Sequence, residues 1–215
     1  KSYDSFNKGI NISSIDSKFD MISPNTLNLN SNNYLGHIIK EDPNHLNSFT
    51  NIGFQSYFVQ KDEVHEMEKM FFETFRLGDF RQNIEEAEPY LRNSDLIIFD
   101  ASSIKQSDAP GVVAPSPNGL FSHEACVLSR YTGMSDRVSS FGVFGINTEK
   151  DINNQTSHLI AQVVWYFLEG FSLRISDFPT KKTMSKNFKK YVVPVDEEDF
   201  QFIFYKSKLS GRWWM

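Results

Sequence analysis

At 215 residues, 40% hydrophobic and 23% charged, the chain has a folded globular composition, enough for one large domain or two small ones. A formal charge of −5 argues against a nucleic-acid or anionic-membrane partner held by bulk charge, and a single cysteine, Cys126, excludes an intrachain disulfide or a zinc site of several thiolates. The longest apolar run, residues 159–171, is broken by Gln162, Glu169 and Gly170 and is too short to span a bilayer; with no basic-then-apolar leader, a soluble cytoplasmic protein is expected.

Residues 10–15 read as a strand that ends on the polar run Asp16-Ser17-Lys18-Phe19-Asp20. Residues 23–33, crowded with Asn, Ser and Pro, read as a loop. A short helix is predicted over 34–40, stopped before Pro43, and a strand over 51–57. Residues 61–76 form the clearest predicted helix. Asp62 and Glu63 favour the positive end of its dipole, and Val64, Met67, Phe71, Phe72 and Phe75 recur at helical spacing as a core stripe. A second helical segment follows over 80–91, weakened by Pro89. Residues 95–100 (DLIIFD) are a short apolar run, the pattern of a strand buried on both faces. Residues 109–119 read as a Pro/Gly-rich loop, and 122–131 as a helix with Ser122 at its N-cap and Glu124 in its first turn. A strand over 139–144, a long helix over 154–172, an exposed basic loop over 181–190 and strands over 191–195 and 200–205 follow. Arg212-Trp213-Trp214 reads as a buried strand tail.

Strands alternating with helices in this order predict a mostly parallel sheet covered on both faces. Ligands of such sheets sit outside the carboxyl ends of the strands. Asp16 to Asp20 follow one apolar run, and Asp100 with Ser102 closes another. Asp16, Asp20 and Asp100 are hard oxygen ligands suited to manganese or magnesium. Strand-end Asp residues equally often cap a turn, and spacing does not choose between the two. The five His residues are scattered without an i, i+4 metal pair, and neither a phosphate loop nor a dinucleotide fingerprint is present. Cys126, with no basic cluster nearby, reads as a buried structural thiol.

SIDSKFD (residues 14–20) resembles the Asp-Ala-His-x-Asp metal motif of the arginase, agmatinase and formimidoylglutamase superfamily. FDASSIKQSDAPGVVAPSPNGLFSHE (residues 99–124) is similar to its Asp-x-Asp segment, Ala-Pro-Gly loop and Gly-Leu…Glu stretch. FGINTEKD (residues 144–151), followed by Thr156 and a long helix, is similar to its Glu-x-Asn-Pro…Asp segment. The nearest likeness is to the formimidoylglutamase branch. The resemblance implies an α/β fold, a three-layer α/β/α sandwich around a mostly parallel sheet. It implies two Mn²⁺ ions held by His and Asp, with a bridging hydroxide that attacks a guanidinium or formimino carbon. It also implies that residues 1–215 are a single arginase-like domain, the C-terminal portion of the full fold. The missing N-terminal half, or another chain, would be its partner, and homo-oligomerisation stays open. No nucleic-acid or membrane partner is expected.

Residue by residue, Asp16, Asp20 and Asp100 fall on metal-ligand positions. Glu124 falls on the acidic position that contacts the substrate's cationic group, and His123 beside it is a second substrate-binding candidate. Lys18 stands where the motif needs a metal-binding His, and Ser102 where it needs a second Asp. The upstream Gly-Gly-Asp-His segment has no counterpart. An ammonium has no lone pair, and a neutral hydroxyl does not replace a bridging carboxylate. The expectation is an eroded dimanganese site with no cofactor, Lys18 standing among the three Asp in place of metal charge. Such a protein would be a non-catalytic homologue with a binding or structural role. The alternative is an active Mn²⁺-dependent hydrolase of linear amidines of the formimidoylglutamate, agmatine or arginine type. Whether the chain is an enzyme is not decided by these residues. A sheet edge left open at residues 10–15 would be an aggregation hazard.

Overall fold

The structure is a computed structural model that describes residues 9–21, 28–194 and 200–215; residues 23–27 of the first predicted loop and Val195 of the 191–195 strand lie outside them. The chain divides into two compact units, Lys1–Ser172 and Leu173–Met215.

In the first unit, β1 (Ile10–Ile15), β2 (Leu46–Phe54), β3 (Glu73–Arg76), β4 (Leu96–Asp100) and β5 (Ser140–Phe144) form one sheet in the order β3-β2-β1-β4-β5. Every pairing is parallel. Its helices are α1 (Tyr34–Lys40), α2 (Lys61–Lys69), α3 (Leu77–Phe80), α4 (Ala87–Arg92), α5 (Ser122–Gly133) and α6 (Gln155–Ser172). Successive side chains of a strand face opposite ways, so each strand feeds two cores. Ile10, Ile12 and Phe49 pack with Leu35 of α1 and Met67 of α2. Ile15, Ile52, Ile97 and Phe99 pack with Leu91 of α4, Leu128 of α5 and Val163 of α6. The result is the expected α/β/α sandwich. Ile52 and Phe54 would share a face in a regular strand, yet they lie in different clusters. The register of β2 against β3 shifts between them, at Gly53, whose φ of 100° suits only glycine.

Several predicted elements change. β1 is central, flanked by β2 and β4, so the open edge expected at residues 10–15 does not form; among the described residues the edges are β3 and β5. The helix predicted over 61–76 stops at Lys69. Phe71 takes a left-handed φ of 57°, and the Phe71 and Phe72 amides donate back to Glu68 O and Met67 O, which closes the helix. Phe71 is therefore exposed, Phe72 packs with the α1–α2 cluster, and Phe75 sits on β3 against the other. The 80–91 segment is a 3-10 turn at Ile84–Glu86 followed by α4. Pro89 lies in the first turn of α4, where its missing N–H removes no helical bond. The strand predicted over 51–57 runs instead from Leu46 to Phe54.

In the second unit, β6 (Phe188–Pro194), β7 (Gln201–Ser207) and β8 (Trp213–Trp214) form an antiparallel sheet. The basic loop predicted over 181–190 contains a helical turn, α7 (Met184–Asn187), and the start of β6. Trp214 is buried edge-on against Phe188, as expected of the tail, while Trp213 is exposed. Among the described residues no helix is long and apolar enough to cross a membrane.

α5 and α6 meet at backbone contact. A Cβ on Gly133 would lie 2.1 Å from Phe167 O, and one on Gly170 would lie 2.2 Å from Arg130 O. Gly170→Ala is expected to destabilise the fold by about 1–3 kcal/mol through overpacking, read as a lower urea midpoint. Gly78→Ala in α3, where a Cβ meets nothing within 4 Å, should leave the midpoint unchanged or raise it slightly.

Candidate metal and ligand site

β1 and β4 pair with Ile15 beside Phe99, so the residues that follow on each, Asp16 and Asp100, emerge side by side at one end of the sheet. The chain then turns back with Asp20 in a left-handed φ of 50°, a conformation that Asp tolerates better than most residues. The end of β2 pins this turn. Asp16 N donates to Ile52 O (3.1 Å), Gln55 N to Ser17 O (3.0 Å) and Asn51 Nδ2 to Lys18 O (2.8 Å). Asp16, Asp20 and Asp100 share a cavity of about 320 Å³ with Tyr34 and Ser31. Leu96 and Ile98 of β4 and Ser140, Gly142 and Phe144 of β5 complete its wall. β4 is therefore fully buried on one face only, through Ile97 and Phe99, and its other face lines the cavity.

The electrostatics of the cavity are unfavourable for a set of bare carboxylates. Burial pushes the Asp16 carboxyl well above the usual range, and the charges of Asp100 and Asp20 push it further; the Lys18 amide, 3.1 Å from Oδ1, offsets part of this. Burial raises Asp20 to about 6, against the opposing effects of a hydrogen bond with Asp16 and of the Lys18 ammonium. The Tyr34 hydroxyl, raised by burial, keeps its proton and donates to Ser14 Oγ at 3.4 Å. Asp16 and Asp20, desolvated side by side, do not both ionise readily without added positive charge.

Lys18 supplies that charge only in part. It is half-buried and does not line the cavity; its ammonium favours ionised Asp20 without forming an ion pair with any of the three Asp among the described residues, and Asp16 is relieved by its backbone amide. Ser102 is buried beside Asp100, its amide donating to Asp100 Oδ1 (2.7 Å) and its Oγ accepting from Ala114 N (3.4 Å). Asp100 thus caps a turn and faces the cavity at once. Among the described residues no three His, Cys, Asp or Glu side chains stand in ligating geometry.

Glu124 and His123 are engaged in other contacts. Glu124 accepts from Arg81 Nε (2.8 Å) and Nη2 (3.2 Å) and from Phe121 N (2.7 Å), which ties down the start of α5. His123 stacks on Phe121, and neither residue lines the cavity. Ser122 is the first residue of α5 rather than its cap, and Asp108 accepts both its N–H (2.8 Å) and its hydroxyl (2.6 Å). Cys126 is buried, and burial raises its thiol. Two residues of the site escaped the sequence reading. Tyr34 carried only a helical apolar pattern, and Gly145 had no distinguishing neighbour. A Cβ at Gly145 (φ 76°) would come within 2.3 Å of Asp100 Oδ1, so the glycine makes room for that carboxylate.

A sequence model of the arginase family matches residues 2–169. The chain belongs to the arginase family. Formimidoylglutamase of Staphylococcus haemolyticus is 35% identical over 83 residues, 38% of this chain and 27% of that protein. The Staphylococcus aureus enzyme (strain MRSA252) is 34% identical over 84 residues, with the same shares. In fold, the first comparison is with formiminoglutamase from Trypanosoma cruzi solved with Mn²⁺. It has a TM-score of 0.72 at 18% identity, over 80% of this chain and 60% of that one. Formimidoylglutamase from Bacillus subtilis has a TM-score of 0.69 at 19% identity, over 80% and 56%. Matches at such identities show the arginase-family fold alone. The chain spans 27% of the curated relatives and 56–60% of the solved chains. A neighbour of this fold solved with Mn²⁺ corrects the expectation of no cofactor, which rested on Lys18, Ser102 and the lack of an upstream Gly-Gly-Asp-His counterpart.

The acid cluster has a measurable signature. Asp20 has a folded-state value of about 6 against an ordinary 3.8, so the folded protein holds this proton more tightly, and that advantage is lost as pH rises through the window between them. Asp20→Asn, which cannot titrate, should melt above the parent at pH 8 in chelator, by at most about 3 kcal/mol. The difference should shrink below pH 4; a difference independent of pH would contradict the assignment. At the other acid, Arg81→Ala leaves buried Glu124 without its cation and should cost about 2 kcal/mol in urea unfolding.

Proposed function

We propose that this arginase-family chain binds one divalent cation on Asp16, Asp20 and Asp100 and receives a small amidine- or guanidine-bearing ligand in the adjoining cavity, without a two-ion hydrolytic centre. The observation that carries this reading is the crowding of three carboxylates in a desolvated pocket, with Asp16 and Asp20 both pushed above the ordinary range. An all-carboxylate donor set suits Mn²⁺ or Mg²⁺. In donor chemistry it suits one ion rather than two, because a second would need donors where Lys18 has an ammonium and Ser102 a neutral hydroxyl; the three carboxylates, which do not stand in ligating geometry without an ion, would have to draw together around it. A bound ion would supply positive charge and Lewis acidity.

The chain's own groups define what else enters. Tyr34, still protonated, offers a hydroxyl at the cavity wall, and Leu96, Ile98 and Phe144 make much of that wall apolar. A flat, weakly hydrated cation suits such a surface beside carboxylates better than an ammonium does. Glu124, held by Arg81, keeps its role at the start of α5.

Protein equilibrated with excess Mn²⁺ and desalted is expected to retain one ion per chain and to melt at higher temperature, and Asp16→Asn should abolish both effects. Retention should strengthen from pH 5 to pH 7 as Asp20 loses its proton. Formamide release from formimidoylglutamate and urea release from agmatine and arginine should stay at background. Two retained ions with Mn²⁺-dependent release would overturn this reading in favour of an active amidine hydrolase.

A further inference from the structure

Asn51 of β2 is fully buried, and only half of its carboxamide is satisfied. Nδ2 donates to Lys18 O at 2.8 Å, while Oδ1 has no hydrogen-bond partner among the described residues. A carbonyl oxygen only accepts, so Lys18 O fixes which end of the amide meets it and turns Oδ1 away. The parallel register sets Asn51 beside Ser14 of β1. Asp16, whose amide continues the pairing to Ile52 O, comes two residues later on the same face as Ser14. Ser14 Oγ accepts from the Tyr34 hydroxyl (3.4 Å) and leaves Asn51 Oδ1 unpaired. Phe49, two residues before Asn51 on its own face, belongs to the apolar core, so the amide stands where that core gives way to the acid loop. A buried acceptor without a donor has lost water and gained nothing for it, which in a folded protein needs a reason.

We propose that Asn51 Oδ1 is a neutral fourth oxygen donor to the cation of the acid site, an assignment that rests on the one-ion reading above. Mg²⁺ and ions like it take about six oxygens, and carbonyls and waters ordinarily complete what carboxylates begin. An uncharged oxygen suits this place, because a fourth carboxylate would add like charge to a crowded pocket. One amide then serves twice. Nδ2 holds the loop that carries Asp16 and Asp20, and Oδ1 meets the ion those acids bind, so loop position and ion affinity are joined in one side chain.

Mn²⁺ titration at pH 8, followed by the electron paramagnetic resonance signal of the free ion, separates the two roles. Asn51→Leu removes both ends of the amide and is expected to weaken Mn²⁺ binding by about tenfold or more. Asn51→Asp keeps an oxygen but does not donate to Lys18 O. It should melt below the parent without metal, as Asn51→Leu does, yet bind Mn²⁺ about as tightly as the parent. Equal weakening in both variants would mean that Asn51 only pins the loop, and overturns the assignment. The unsubstituted chain gives a second measure. Its Asn51 side-chain amide resonance, identified by its loss in Asn51→Asp, should move on saturation with Mg²⁺ and stay in place when Asp16→Asn is treated alike. An unmoved resonance in the parent overturns the assignment too. Mn²⁺ binding abolished by Asp16→Asn but indifferent to Asn51→Leu strikes this assignment alone and leaves a buried water as the partner of Oδ1. A parent that retains no Mn²⁺ overturns the one-ion reading and this assignment together.

Discussion

Repulsion among three carboxylates is the constraint around which this end of the sheet is arranged. Parallel pairing of β1 with β4 places Asp16 beside Asp100, and the pinned turn after β1 returns Asp20 to the same pocket. Asp16 and Asp20 would prefer water, and burial beside neighbours of like sign raises the energy of their ionised states. The fold holds them together by contacts that are not themselves acidic. Asn51 and Gln55 of β2 and its following turn grip the loop backbone, Gly145 leaves room for Asp100, and the Ser102 amide bonds its carboxylate. The stability spent on this arrangement comes from the two apolar cores on either side of the sheet.

The segments that carry the family resemblance do two different jobs. The residues 14–20 segment and Asp100 form the acidic pocket. The Ala109-Pro110-Gly111 loop and the segment before α6 interlock as scaffold. Gly111 N donates to Thr156 Oγ1 (2.7 Å), Gly111 O accepts from Asn147 N (2.8 Å), and Asp151 takes the Thr156 and Ser157 amides. A side chain on Gly111 would strike Asp151 at 2.6 Å. Glu124 belongs to this scaffold too, because Arg81 and the Phe121 amide occupy its carboxylate. A motif therefore shows kinship along its whole length, while only some of its residues face the pocket.

Legibility followed the range of the interaction involved. β1, α1 and α6 were readable within a residue of their bounds, since apolar spacing and neighbouring breakers are local. The stretch 61–76 misled for a local reason that periodicity does not see. Phe71 adopts a left-handed backbone without being glycine, and one apolar rhythm was split between a helix and a strand. The acids were found because strand ends are where parallel sheets place ligands. Tyr34 was not, because its hydroxyl reaches Ser14 twenty residues upstream only after α1 packs on the sheet.

By itself, the sequence determined the class of fold, the family and the three acids, because strand–helix alternation and residue identity need no partner to be read. It also set the donor chemistry, since no folding turns the Lys18 ammonium into a metal ligand or the Ser102 hydroxyl into a bridging carboxylate. Tertiary structure decided the rest. Sheet order made β1 central among the described strands, register brought Asp16 to Asp100, and packing gave Glu124 to Arg81 and kept Lys18 out of the cavity wall. The reason is physical: a carboxylate's protonation and partners depend on the water removed and the charges brought near, and both are fixed only when distant segments meet.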